Sequence, residues 1–306
     1  MISKIEKNPL LTLAVIAAGF TIFALSTSLP KITDFIIFCI FVLGFDLIYG
    51  HMGHLSFGHM LYLGAGSYGA AMFAHFVSPN PLLVIACGIL TATVIALILG
   101  PVVVKTSGAA FALLNLALNE VGAFMVLVPF PEWTGGEDGL SVYFDTYGFI
   151  DVYNPVFWYC FCLGSLLLVS YLVIRLVNSP YGVFLKATKE NEIRVQFLGY
   201  NTYIYKLITF ILAGAIAGFS GALNTINLSY TNPSLIDPTR NVEVIFAALM
   251  GGAGNVIGAV IGGTAFMTIS NYLARYIIRW EMFLGIALLI FAFRFRKGIW
   301  GYVGRS

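Results

Sequence analysis

"PLLVIACGILTATVIALILGPVVV" runs from Pro81 to Val104 without one charged side chain. About 20 such residues let a helix cross a hydrocarbon core of about 30 Å. One run alone is compatible with a buried core helix; several in one chain describe a membrane bundle. Outward from Pro81 the pattern repeats. "PLLTLAVIAAGFTIFALSTSL" (Pro9–Leu29) precedes it, and apolar segments cover residues 9–29, 33–49, 55–77, 81–104, 109–130, 155–177, 205–228, 243–273 and 281–295.

The composition agrees. Of the 306 residues 59% are hydrophobic and 10% charged, where a soluble domain carries about 25% charged residues. The expected fold is all-α, a polytopic transmembrane bundle of nine to ten spans forming a single transmembrane domain over residues 1–306. A soluble enzyme is excluded, and a net charge of +2 points to no nucleic-acid partner. Lys4 and Lys7 precede a long apolar run with no small-residue cleavage site before Pro30, so a retained first helix is expected. Cys39, Cys87, Cys160 and Cys162 all fall in apolar runs and are expected to be packing residues.

Charge placement orients the chain. Residues 131–151 hold Glu132, Glu137, Asp138, Asp145 and Asp151 with no Lys or Arg, whereas 178–206 hold Lys186, Lys189, Arg194 and Lys206, and the tail holds Arg294, Arg296, Lys297 and Arg305. The positive-inside rule puts both termini and the 179–204 loop in the cytoplasm and the acidic 131–151 loop outside. A single span over 243–273 would break that parity. "GGAGNVIGAVIGG" (Gly251–Gly263) is too glycine-rich for an ordinary span. A half-helix from Glu243, a break at Gly251, Gly252, Gly254 and Gly258, and a return helix restore it, as in interrupted transporter helices. The alternative is that the glycines only let helices pack closely. Packing is also the expected role of Gly64, Gly66, Gly69, Gly214, Gly218 and Gly221.

Polar groups inside spans are expensive and mark function by default. Asp46, His59, Glu120 and Glu243 are the transport-pathway candidates, with Asn115 and Asn119 near Glu120; for each, an internal hydrogen bond or cap is the competing reading. His51, His54 and His59 cluster in "YGHMGHLSFGHM" (Tyr49–Met60), but the stretch brings no further ligand beyond Asp46, so no metal site is expected.

"SPYGVFLKATKENEIRVQFLGYNTYIYKL" (Ser179–Leu207) predicts a short helix from Pro180 to about Gly199. Phe184, Leu185, Ile193, Phe197 and Leu198 would form an apolar side, and Lys186, Lys189, Glu190 and Arg194 a charged one. Docking onto a soluble partner and lying in the membrane interface both fit. No G-x-x-x-x-G-K-[ST] occurs, so no nucleotide cradle, catalytic residue or cofactor is expected in the chain itself.

Four stretches together resemble the permeases of branched-chain amino-acid ABC importers, the LivM type. They are "GFDLIYGHMGHLSFGHMLYLGAGSYGAA" (Gly44–Ala71), "VKTSGAAFALLNLALNEV" (Val104–Val121), "WTGGEDGLS" (Trp133–Ser141), and the Ser179 segment followed by "FAALMGGAGNVIGAVIGG" (Phe246–Gly263). The resemblance covers roughly residues 35–265. His59 falls on the family's histidine after Leu-Ser-x-Gly, His51 and His54 stand where the pattern has other residues, and Asp46 stands where the family has asparagine.

The resemblance implies a bacterial inner-membrane heterodimer with a second permease subunit, surrounded by membrane lipid. It further implies two cytoplasmic ATPase subunits that use the ATP, and an external solute-binding protein. Glu190, Glu192, Ile193, Phe197, Leu198 and Gly199 would form the coupling to the ATPase, and the cargo would be branched-chain amino acids moved by alternating access. Related permeases carry urea or short amides. A stand-alone ion-coupled transporter with Glu120 as proton carrier is the other class.

Overall fold

Prolines and small polar caps open the helices where the sequence offers them. In the computed structural model, which describes residues 9–25, 27–146, 151–276, 282–283, 285–286 and 298–303, α1 spans Pro9–Ala24 and α2 spans Leu29–Asp46, prolonged by a π turn over Leu47–Met52. Then come α3 (Met60–Phe76), α4 (Pro81–Val103), α5 (Gly108–Leu127), α6 (Pro155–Val177), α7 (Pro180–Phe197), α8 (Thr202–Leu228), α9 (Arg240–Gly251), α10 (Val256–Tyr276) and α11 (Gly298–Val303). Proline at a first helical turn sacrifices no hydrogen bond. Asn80 and Asn154 complete two of these starts, their Oδ1 atoms accepting from Leu82 N–H at 3.1 Å and Val156 N–H at 3.0 Å.

Six described helices are long and apolar enough to cross a membrane: α2 with its π turn, α4, α5, α6, α8 and α10. Helices α1 and α3 have 16 and 17 residues. The protein is an all-α, multi-pass membrane bundle. Most of the expected span 281–295, and the basic tail residues, lie outside the described residues, as do Lys4 and Lys7.

Helix α8 is the axis, packed by α2, α3 and α4. Glycines decide how close α3 comes: a Cβ on Gly66 would lie 2.2 Å from the Gly218 carbonyl oxygen, and one on Gly221 2.0 Å from that of Leu63. With the backbones touching, hydroxyls become the glue. Ser67 Oγ meets Thr225 Oγ1 at 2.5 Å and Thr231 Oγ1 at 2.8 Å, and Ser220 Oγ donates to the Ile37 carbonyl at 2.8 Å.

The 27 residues of α8 also measure the molecule, about 40 Å at 1.5 Å per residue. At its start Thr202 touches α7; at its end strand β2 (Tyr230–Thr231) pairs antiparallel with β1 (Leu140–Ser141) in the acidic loop. The α7 segment and the acidic loop therefore cap opposite ends of the bundle. That loop is tied down by Thr134, whose Oγ1 donates to the Val126 carbonyl at 2.7 Å.

The expected break in the glycine-rich region is present. Helix α9 ends at Gly251, Gly252 and Gly254 take φ of 104° and 88°, and α10 begins at Val256. Only glycine adopts such angles freely. The close-packing reading holds as well, since a Cβ on Gly251 would sit 1.8 Å from the Gly258 carbonyl oxygen. The four cysteines are free; Cys39 and Cys162 are buried, but Cys160 lies exposed on α6 rather than packed.

Candidate transport and coupling sites

Two stretches of non-helical backbone meet inside the bundle. Residues 53–59 carry "GHLSFGH" between the π turn and α3, and residues 237–239 lead into α9. They join where the Asn241 Oδ1 accepts the Met60 N–H at 3.0 Å, with Asn241 fully buried. Irregular backbone at membrane depth is tolerated where protein buries it or where it lines a cavity. Helix α5 supplies the wall: Asn119 Nδ2 donates to the Ile236 carbonyl at 2.6 Å, and Gly58 lies so close that a Cβ would be 2.0 Å from the Asn115 carbonyl oxygen. Both α5 asparagines are buried.

The pathway candidates separate. His59 is fully buried, its ring stacked on Phe41 at 5.1 Å and close to Phe45 and Tyr62. Asp46 is buried too, and its Oδ1 accepts the Gly254 N–H at 2.8 Å while its Oδ2 lies 3.5 Å from His51 Nδ1. It thus ties the end of α2 to the α9–α10 break. Glu243 is half-buried in the first turn of α9, where a carboxylate favours the helix dipole. Glu120 is exposed, turned outward on the side of α5 that also carries Leu113, Val121 and Phe124. The three clustered histidines go to different neighbours: His51 to Asp46, His54 Nδ1 to the Met52 carbonyl at 3.1 Å, His59 to aromatic rings.

At the α7 end the expected single amphipathic face is not what forms. Asn191 takes φ −161° and ψ 93°, kinking α7 into two helical pieces. Leu185 packs inward and Phe184 stacks on Tyr205 at 3.8 Å, whereas Ile193, Phe197 and Leu198 are 65%, 87% and 70% exposed. The apolar residues therefore serve two surfaces: the first piece holds the segment to the bundle and the second offers its side chains outward. A notch of about 490 Å³ lies between Phe184, Val195, Leu198 and Tyr205. Gly199, with φ 86°, ends the segment, and Glu190 is exposed.

Two lysines brace the segment, and Lys189 leaves the charged face assigned to it. Lys189 Nζ donates to the Gly50 carbonyl at 2.6 Å. Lys206, 5% exposed, pairs with Glu192 at 2.7 Å, and Thr202 Oγ1 donates to the same carboxylate at 2.9 Å. Burial alone would raise the Glu192 carboxyl, but the Lys206 and Thr202 hydrogen bonds and the Lys206 charge hold it below its usual range. The α7 segment is thereby pinned to both the π turn and the start of α8. The partners of Lys189, Asn119 and Asn241 are distant in the chain and escape sequence reading; Asn119 was singled out only by its place in an apolar run.

The family model described as branched-chain amino acid transport system / permease component matches residues 29–293. The high-affinity branched-chain amino acid transport system permease protein LivM of Salmonella typhimurium is 25% identical, over 94% of this chain and 74% of its own. The probable LivM permease of Methanocaldococcus jannaschii is 26% identical over 74% and 70%. A ribose import permease protein, RbsC of Escherichia coli, is 24% identical over 71% and 68%. No solved structure matches the chain.

Proposed function

Because the chain belongs to the family of branched-chain amino acid transport system permease components, we propose that it is one permease subunit of an ATP-driven importer for these amino acids. The observation that carries the proposal is the outward apolar tip of α7, Ile193, Phe197 and Leu198, on a segment braced against the bundle by Lys189 and by the Glu192–Lys206 pair. A segment that must transmit a push needs an apolar seat for its partner and rigid ties behind it. Glu190, Ile193, Phe197, Leu198 and Gly199 are the docking residues; Glu192 is a brace.

The α7 end and both termini lie in the cytoplasm of a bacterial inner membrane, facing two ATPase subunits that hydrolyse the ATP. The acidic loop faces outward, toward a solute-binding protein. The second permease covers the outer face of α5, so the cargo passes between the subunits beside Glu120, while the break at Gly251–Gly254 and the joint at Met60–Asn241 shift as the bundle alternates. Asp46, His59 and Glu243 support this movement from inside the bundle.

The test is uptake of labelled leucine into vesicles carrying the chain with its companion subunits, with and without ATP, competed by valine, urea and ribose. ATP-dependent uptake blocked by valine alone supports the reading. Competition by ribose alone, the cargo named for the RbsC relative, would move the solute to sugars, and by urea alone to amides. Indifference to ATP would sink the importer and favour an ion-coupled carrier. Phe197→Glu should abolish ATP-driven uptake and ATPase capture while the protein still inserts in the membrane; full uptake in that variant would refute the docking role of α7.

A further inference from the structure

We propose that the seam between α1 and α10 binds a phospholipid with an anionic headgroup, one acyl chain in its apolar groove and the phosphate beside Lys186. The groove holds about 610 Å³ between Val15, Gly19 and Phe23 of α1, Val260 and Thr264 of α10, and Trp300 of α11. Its hydroxyls are already satisfied within the helix: those of Thr264 and Thr268 donate to the Val260 and Thr264 carbonyls at 2.9 and 2.7 Å. Where Gly19 would carry a Cβ there is no heavy atom within 4 Å, so the space is open along α1.

A second cavity of about 310 Å³ adjoins the first at Ile257, which lines both, and differs in character, with Lys186, His51, Asn178 and Asn255 in its lining. It lies where α6 ends and the first turn of α10 begins, which is the level of a membrane boundary. Lys186 is exposed, and no carboxylate among the described residues pairs with it. His51 has Asp46 on its Nδ1, and the Asn255 side chain already accepts the Ile257 and Gly258 N–H groups at the start of α10, so the cation left to meet a headgroup at this cavity is Lys186. A seam that is apolar along its length and cationic at its mouth matches a molecule with a hydrocarbon chain and an anionic head. Basic pockets between membrane helices take lipid headgroups on the same grounds. A soluble anion would leave the groove bare, and a protein helix would meet no reason for the lysine.

Trp300 reports occupancy, because bromine on an acyl chain quenches a neighbouring indole. The full chain is reconstituted in phosphatidylcholine vesicles containing a small share of brominated phosphatidylglycerol or, separately, brominated phosphatidylcholine. The Trp300 signal is isolated by subtracting Trp300→Phe. Quenching by the phosphatidylglycerol should exceed that by the phosphatidylcholine roughly fivefold, the preference one lysine near an anionic headgroup confers. Lys186→Glu should erase the preference, and Gly19→Leu, whose Cβ meets no heavy atom within 4 Å, should reduce quenching by both lipids. Equal quenching by the two lipids would overturn the proposal, as would a preference that survives Lys186→Glu. Cross-linking of Gly19→Cys to a second polypeptide in the assembled transporter would overturn it too, by giving the groove to a protein.

Discussion

Asp46 is a carboxylate with almost no access to solvent, and what it holds together decides what its loss costs. One oxygen accepts the Gly254 N–H and the other faces His51. The π turn explains the second contact: i→i+5 winding brings a residue five positions on alongside Asp46, a meeting that α-helical winding would not give. Asp46→Asn keeps an acceptor for Gly254 and should unfold close to the parent protein. Asp46→Ala removes that acceptor from the Gly254 N–H and should cost about 1–3 kcal/mol. Thermal unfolding in detergent separates the two, and equal destabilisation would mean that the Gly254 bond carries no weight. His51 is close to Asp46 in the chain, so this contact was within reach of the sequence, although nothing there chose it over His54. Gly254 was not legible, because nothing local to Asp46 announces a contact 208 residues away. His59 shows the same limit: its position after Leu-Ser-x-Gly was visible, but its use as an aromatic-stacked core side chain depends on Phe41 and Phe45 of the preceding helix.

Among the elements, α7 departs furthest from its sequence pattern. Apolar residues at helical spacing read as one face; the kink at Asn191 splits them between bundle and solvent. Asparagine favours such local breaks because its side chain competes for backbone donors, and here its Oδ1 accepts the Arg194 N–H at 2.9 Å. The second piece depends on Glu192. Its carboxyl is held below the usual range, so the native state binds fewer protons than the unfolded one near that range. The contribution is then fully present above the unfolded value and is lost as pH falls through the folded one. Protection of the amides of residues 192–200, corrected for the intrinsic exchange rate at each pH, should therefore fall on acidification. In Glu192→Gln it should be low already near neutrality and respond little to pH. An unchanged acid response in the variant would show that another group controls the segment. By contrast α4, α6 and α8 were legible nearly to their ends, because a long apolar run bounded by proline or asparagine leaves few alternatives. The break between α9 and α10 was legible for the complementary reason: glycines at 251, 252 and 254 permit angles that no other residue takes freely.

For the whole molecule, the telling surface is the outer side of α5. Its inner side buries Asn115 and Asn119 against the interrupted segments, and its outer side exposes Leu113, Val121, Phe124 and Glu120. The sequence marked Glu120 as polar and mid-helix but could not assign it a side, since the asparagines and the glutamate fall within a turn or two of one another. A carboxylate facing lipid at mid-membrane costs on the order of 3 kcal/mol or more, so this face calls for a covering subunit and water. Exposed α4 residues such as Leu97 carry no charge and suit lipid. Single cysteines at Glu120 and Leu97, placed in a cysteine-free background, distinguish the two surfaces. With the second permease present, Glu120→Cys should react with a membrane-impermeant maleimide and Leu97→Cys should not. Labelling at position 120 should respond to ATP, because alternating access opens the pathway to one side at a time. With this chain expressed alone, both cysteines should face lipid and stay unlabelled. If position 120 remains unlabelled in the full assembly while transport proceeds, the cargo passes elsewhere, and Glu120 is buried against the partner rather than lining its route.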